Sequence, residues 1–204
     1  MLTSSHQFGF KAKHSTDACI YVLKEAVDFY VSQQSSVYLC FLDVSKAFDR
    51  VNHSVLFDKL LKRGVPGYLV RILSYWYSNQ KMSIRWGSIM SEAFNVSNGV
   101  RQGGILSPYL FNIYMDDLSY KLKKKYAGCK IANMIINHLF YADDLVLLCP
   151  SHRGLQELLD ICEKYASEND IIFNTKKSVV LIRRSKILVN AVIQPFELCG
   201  EKTH

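Results

Sequence analysis

Hydrophobic positions change their period several times along the chain, and each change marks an element. From Thr16 to Ser32, Ala18, Val22, Ala26, Phe29 and Tyr30 recur at helical spacing. Val37-Tyr38-Leu39-Cys40-Phe41-Leu42 is a short unbroken apolar run, which predicts a buried strand ending at Asp43. Helical spacing returns from Val55 to Arg63 and stops at Gly64-Val65-Pro66-Gly67, and a further helix is expected from about Tyr68 to Asn79. Lys81 to Val96 reads as a hairpin turning at Gly87-Ser88. Ser107, as a cap, and Pro108, in the first turn, open a helix that runs to Lys125. Two apolar runs, Ile131 to Tyr141 and Leu145 to Cys149, flank Ala142-Asp143-Asp144, so a β-hairpin with acids at its tip is expected. A helix over Ser151 to Glu168 and a strand over Ser178 to Ile182 complete the pattern. The order resembles a split βαβ arrangement, which places the chain in the α+β class.

Composition adds limits. Of the 204 residues, 49% are hydrophobic and 21% charged, a balance that suits a packed fold and not a disordered chain. No apolar run approaches the roughly 18–20 residues of a membrane span, and the segment from Met1 to Lys13 lacks the apolar centre of a signal peptide. No membrane partner is therefore expected, and an intracellular setting is. The net charge of +7, from 25 Lys+Arg against 18 Asp+Glu, suits a polyanionic partner without identifying one. The six cysteines form no Cys-x-x-Cys pair and sit mostly in apolar runs, so they read as small buried residues and not as disulfides or a zinc site.

Three acids lie where acids are costly. Asp43 directly follows an apolar strand, and Asp143 and Asp144 sit between two others. Divalent cations would justify them, since hard oxygen ligands suit Mg²⁺ and two ions about 3.5–4 Å apart serve phosphoryl transfer. A helix cap or a solvated turn satisfies the same spacing equally well. A second acidic pair competes. Tyr114-Met115-Asp116-Asp117-Leu118 has the letters of the retroviral polymerase box, yet it falls inside the expected 107–125 helix. Asp116 and Asp117 are therefore expected to face solvent or pair with nearby lysines, and catalysis is assigned to the hairpin pair.

With those residues in view, the chain resembles the reverse transcriptase domain of non-LTR (LINE-type) retrotransposons, from about Gln7 to Gly200. Gln7-Phe8-Gly9-Phe10-Lys11 with His14-Ser15-Thr16 resembles the fingers motif that opens the nucleotide site. Phe41-Leu42-Asp43-Val44-Ser45-Lys46-Ala47-Phe48-Asp49-Arg50-Val51-Asn52-His53 is similar to motif A, and Asn98-Gly99-Val100-Arg101-Gln102-Gly103-Gly104 with Leu106-Ser107-Pro108 to motif B. Phe140-Tyr141-Ala142-Asp143-Asp144 is similar to motif C, and Phe173-Asn174-Thr175-Lys176-Lys177-Ser178 to motif D. Any one of these is unspecific; five in the family's order are specific. Motif B departs from many relatives at Gly104-Ile105, where they carry Asp-Pro, but its Gln-Gly pair is intact.

The resemblance implies a right-hand polymerase palm with an antiparallel ferredoxin-like sheet and packed helices. Residues 1–35 would be partial fingers and 36–204 palm, with fingers-derived helices and hairpin at about 54–97. The start of a primer-grip region is expected at about 187–204, with the thumb missing. It also implies RNA-directed DNA polymerase activity on an RNA template, a DNA primer and dNTPs, with two Mg²⁺ ions, or Mn²⁺ in their place, and nuclear action. Asp43 and Asp143 would hold both metals, with Asp144 in support. Phe48, five positions after Asp43, matches the steric gate against a ribose 2′-hydroxyl. Gln102 and Gly103 would lie against the incoming nucleotide, Arg101 and Lys11 near phosphate, and Lys177 beside the leaving pyrophosphate. Ordinary alternatives exist for each: a core aromatic for Phe48, a plain loop for Gln102-Gly103, solvated cations for the rest. His14, His53 and His138 read as structural. Two rival functions remain at this stage: an inactive retroelement relic that at most binds nucleic acid, and a group II intron or retron-type enzyme.

Overall fold

The computed structural model describes residues 3–185 and 194–203. The chain divides into two units: a discontinuous one, Met1–Ser45 with Met115–His204, and the intervening Lys46–Tyr114.

The discontinuous unit opens with helix α1 (Thr16–Ser32), whose first turn is closed by Ser15 Oγ accepting from Ala18 N. Strand β1 (Val37–Leu42) follows, with the bounds its apolar run predicts. In the intervening unit, helix α2 (His53–Lys62) is capped by Asn52, whose side chain accepts from Ser54 N and Val55 N. Helix α3 (Gly67–Ser78) comes next. A long hairpin follows, made of β2 (Lys81–Met82), β3 (Arg85–Trp86), β4 (Ile89–Met90) and β5 (Phe94–Asn95). Trp86 pairs with Ile89, so the chain turns at Gly87-Ser88 as expected. Helix α4 (Ser107–Lys123) runs from this unit into the other. Ser107 is itself helical and not the cap.

The expected strand from Ile131 to Tyr141 is corrected. It is three pieces: β6 (Cys129–Ile131) and β7 (Met134–Ile136) pair as a small hairpin, and β8 (His138–Tyr141) is separate. The first break is at Ala132, which takes φ 51 in the β6–β7 link. The second is at Asn137, fully buried, whose amide donates to the carbonyl of Leu122 in the last turn of α4 and to that of Ala127 in the segment after it. Satisfying a helix-end carbonyl and a loop carbonyl takes precedence over continuing an apolar run. Strand β9 (Asp144–Cys149), helix α5 (His152–Glu168) capped by Ser151, and strand β10 (Val179–Arg183) follow. Strands β11 (Phe196–Leu198) and β12 (Glu201–Thr203) form a terminal hairpin. It falls within the expected primer-grip region; the part of that region at 187–193 lies outside the described residues.

The main sheet has the order β10-β1-β9-β8 and is antiparallel throughout. Alternation along β1 sends successive side chains to opposite faces. On one face Val37 and Leu39 join Leu139, Val146 and Leu148 beneath Ala26, Leu23 and Val27 of α1. Cys40 belongs to the other face, where α5 buries Leu155, Leu158, Leu159, Cys162 and Tyr165. Burying the three leucines contributes roughly 1.5–3 kcal/mol each before entropy is counted. Covering both faces leaves the strand ends as the place where polar chemistry reaches solvent. No helix among the described residues is long and apolar enough to cross a membrane.

Candidate active site

Asp43 follows the last residue of β1, and its backbone is held from one side by the loop before β10. Asn174 N donates to Asp43 O at 2.8 Å, and Asp43 N donates to Ser178 Oγ at 3.3 Å. Ser178 Oγ in turn donates to Asn174 O at 2.9 Å. A bridge between Val44 and Phe173, with Ser45 N donating to Ile172 O, extends the pairing. The motif read around Lys177 is thus a clasp on the residue that carries the first acid. Asn174 and Ser178, which sequence reasoning treated only as motif letters, are its working parts.

The second and third acids come from the β8–β9 turn. Tyr141 pairs with Asp144, leaving Ala142 and Asp143 as the turn. Ala142 has φ 59, a left-handed conformation that costs a residue with a Cβ on the order of 1–2 kcal/mol. Gln7 supports it: Ala142 N donates to Gln7 Oε1 at 3.0 Å, and Gln7 Nε2 donates to Ala142 O at 3.1 Å. The N-terminal segment lies flat on this turn. A Cβ on Gly9 would stand 2.2 Å from Ala142 N, so only glycine fits there.

Asp43, Asp144 and Lys177 line one cavity of about 420 Å³, walled on its apolar side by Cys19, Ile20 and Leu23 of α1. Asp143 stands on the turn beside it, half-buried, and is not in the lining. Partial burial, then Asp143, then Asp43, raise the Asp144 carboxyl above its ordinary range. Asp144 therefore feels both of the other carboxylates. Among the described residues, no three acid, His or Cys side chains close into a metal cage. An open carboxylate set suits Mg²⁺, which is ordinarily held by one or two carboxylates together with water and substrate phosphates.

The remaining expected residues fall into two groups. Phe48, Arg101, Gln102 and Gly103 belong to the intervening unit. There Gly99 N donates to Val51 O, and Val100 N donates to Phe48 O at 2.7 Å, so motif B is stitched to the end of motif A. A Cβ on Gly99 would meet Asp49 Cα at 2.9 Å. One face of Phe48 stacks on Phe111 at 4.9 Å, while Gln102 Nε2 donates to Asp49 Oδ1 at 3.4 Å. Arg101 and Gln102 line a groove of about 710 Å³ with Lys81, Met82 and Phe94 of the long hairpin. Gly103, at φ 82, has open space where a Cβ would stand.

Lys11, in the discontinuous unit, is not brought into the acid-lined cavity; its ammonium donates to Ser4 O at 2.8 Å. Asp116 and Asp117 lie within α4. They are half-buried and do not simply face solvent, and Asp116 accepts from Ser4 N at 2.6 Å. His138 is fully buried between Ser119 Oγ and Asn137 Oδ1, and His53 Nε2 contacts Gly99 O at 2.7 Å, both structural positions.

Known proteins resemble this chain in sequence and in fold. A type-2 retrotransposable element R2DM Pol polyprotein of Drosophila melanogaster is 42% identical over 125 residues, covering 61% of this chain and 12% of that protein. A probable RNA-directed DNA polymerase from the X-element transposon of the same fly is 29% identical over 187 residues, covering 87% of this chain and 19% of that protein. The chain thus spans less than a quarter of the length of these relatives. Among solved structures, telomerase from Candida tropicalis superposes with a TM-score of 0.67 at 12% identity, over 87% of this chain and 30% of that one. A truncated apo form of the same enzyme gives 0.66 at 12% identity, over 97% of this chain and 39% of that one; at such identity the likeness is one of fold. Residues 1–192 match the family described as Reverse transcriptase (RNA-dependent DNA polymerase), and to that family this chain belongs.

Proposed function

We propose that this chain is the catalytic core of an RNA-directed DNA polymerase from a non-LTR retrotransposon, adding dNTPs to a primer 3′-hydroxyl on an RNA template. The observation that carries the reading is the convergence of Asp43, Asp144 and Lys177 on one cavity, with Asp143 electrostatically coupled to it. In this reading Asp43 and Asp143 hold two divalent ions, Mg²⁺ or Mn²⁺, and Asp144 supports them. When bound, such ions supply charge neutralisation at the reacting phosphate and a more acidic primer hydroxyl.

The chain's own residues do the rest. The primer 3′-hydroxyl gives up its proton to solvent as its oxygen forms a bond to the α-phosphorus, while the bond from that phosphorus to the pyrophosphate oxygen breaks. Lys177, exposed at the cavity, donates a proton to the departing pyrophosphate or offsets its charge. Phe48, backed by Phe111 and half-exposed, excludes a ribose 2′-hydroxyl. Gln102 and Gly103 pack against the incoming nucleotide, where a missing Cβ permits close approach. Arg101 contacts triphosphate, as does Lys11 once it gives up its bond to the Ser4 carbonyl. Residues 1–35, with the helices and hairpin at about 54–97, act as fingers, and the main sheet with α5 is the palm.

Primer extension with this chain, an RNA template, dNTPs and Mg²⁺ tests the reading. Incorporation that disappears in Asp43→Ala is expected. Incorporation that persists there sinks it. Salt-sensitive nucleic-acid binding with no incorporation by the unaltered chain would favour the inactive relic instead.

A further inference from the structure

The paired acids depend on Ala142, a residue with a side chain held in a backbone conformation better suited to glycine. Support reaches this turn from outside the hairpin. It comes from Gln7, which is 4% exposed and separated from Ala142 by 135 positions. The carboxamide meets the peptide groups of one residue twice, accepting from Ala142 N and donating to Ala142 O. The same Oε1 also accepts from Gly9 N at 2.7 Å, which fixes the amide plane. The segment is pinned on either side, with Phe8 N donating to Phe140 O and Phe140 N donating to His6 O, each at 2.8 Å. A side chain with both a donor and an acceptor at this reach is required; Glu lacks the donor and Met lacks both.

We propose that Gln7 is a positioning residue for catalysis: its carboxamide locks Ala142 in the left-handed turn and so sets the direction in which Asp143 and Asp144 project. The inference rests on reading those two acids as the metal-binding pair. Gln7 touches no reacting atom, and its effect passes through one backbone turn. Gly9 serves the same purpose, because any Cβ there would push against Ala142 N.

The test compares Gln7→Met, which keeps length and volume, with the unaltered chain by two readouts. The first is hydrogen exchange of the Ala142 amide in metal-free protein. Loss of the clamp is expected to speed it by about tenfold, while amides in the centre of β9 keep their protection. The second is primer extension over a Mg²⁺ titration. The expected outcome is a kcat lowered by about tenfold or more with the KM for dNTP little changed, and a smaller loss in Gln7→Glu, which retains the acceptor. Unchanged Ala142 exchange overturns the proposal, as does a lowered melting temperature with unchanged kcat. If Gln7→Met also exposes the β9 amides, Gln7→Glu decides alone: slowed extension with intact β9 protection supports the role, and unchanged kcat overturns it. Asp143→Asn in parallel separates the two readings. If that variant extends primers normally, the acid site itself is misassigned; if it is inactive while Gln7→Met is normal, only the role of Gln7 fails.

Discussion

Asp144 begins β9 with two other carboxylates in electrostatic range and part of its hydration removed, so its ionised form is disfavoured. The consequence for stability has a definite sign. A carboxyl that titrates higher in the folded chain than in the unfolded one adds stability below its unfolded value, and loses it as pH rises through the folded value. Metal-free protein at neutral pH therefore carries a small penalty there. Asp144→Asn should remove it and stabilise the fold by about a few tenths of a kcal/mol at this degree of exposure, seen as a higher melting temperature. The same change should weaken the stabilisation that Mg²⁺ gives the unaltered chain; thermal melts with and without the ion read both effects. Phe48 is the second residue with a sharp expectation. Phe48→Val should raise ribonucleotide incorporation relative to dNTP by about tenfold or more, measured as a ratio of kcat/KM values. The acids were legible in the sequence because apolar strands flank them. Phe48 was legible only through the family's motif, since half-buried aromatics are ordinary. The part played by Gln7 was hidden, because its partner lies 135 positions away.

At the scale of elements, most bounds follow from periodicity: α1 and β1 begin and end where their apolar patterns do. The failure at Ile131 to Tyr141 has a physical cause. Ala132 turns without glycine or proline to announce it, and Asn137 is consumed by the end of α4. That junction has a pH dependence of its own. Burial, and secondarily Lys123, hold the His6 imidazole down to about 4, and burial, then His6 and Lys123, hold neighbouring His138 well below its ordinary value. Imidazoles depressed in the folded state add stability that is present above their ordinary value near 6.5 and lost as pH falls towards about 4. The melting temperature should therefore drop across that window, and His6→Phe should flatten the drop. The clasp on Asp43 can be probed separately. Ser178→Ala removes one hydroxyl that both accepts from Asp43 N and donates to Asn174 O, and should cost about 1–2 kcal/mol in chemical denaturation.

For the whole molecule, the order of motifs in the sequence foretold the antiparallel sheet and the acids at its strand ends. It did not foretell that the residues divide between two units, with Asp43, Asp143, Asp144 and Lys177 in one and Phe48, Arg101, Gln102 and Gly103 in the other. Division by packing depends on long-range contacts that local pattern does not encode. The basic balance of the chain bears on the same scale. With a net charge of +7, affinity for nucleic acid should fall by at least about tenfold between roughly 50 and 200 mM salt, measured by fluorescence anisotropy. The molecule also holds two acidic pairs with polymerase-like letters, one inside α4 and one on the β8–β9 turn, and the assignment of chemistry to the turn is the claim on which the rest stands. Primer extension on an RNA template with Mg²⁺, run side by side for Asp143→Asn and Asp116→Asn, decides between them. The expected result is incorporation reduced by about a hundredfold or more in Asp143→Asn and retained in Asp116→Asn. Incorporation retained in Asp143→Asn and lost in Asp116→Asn would contradict it.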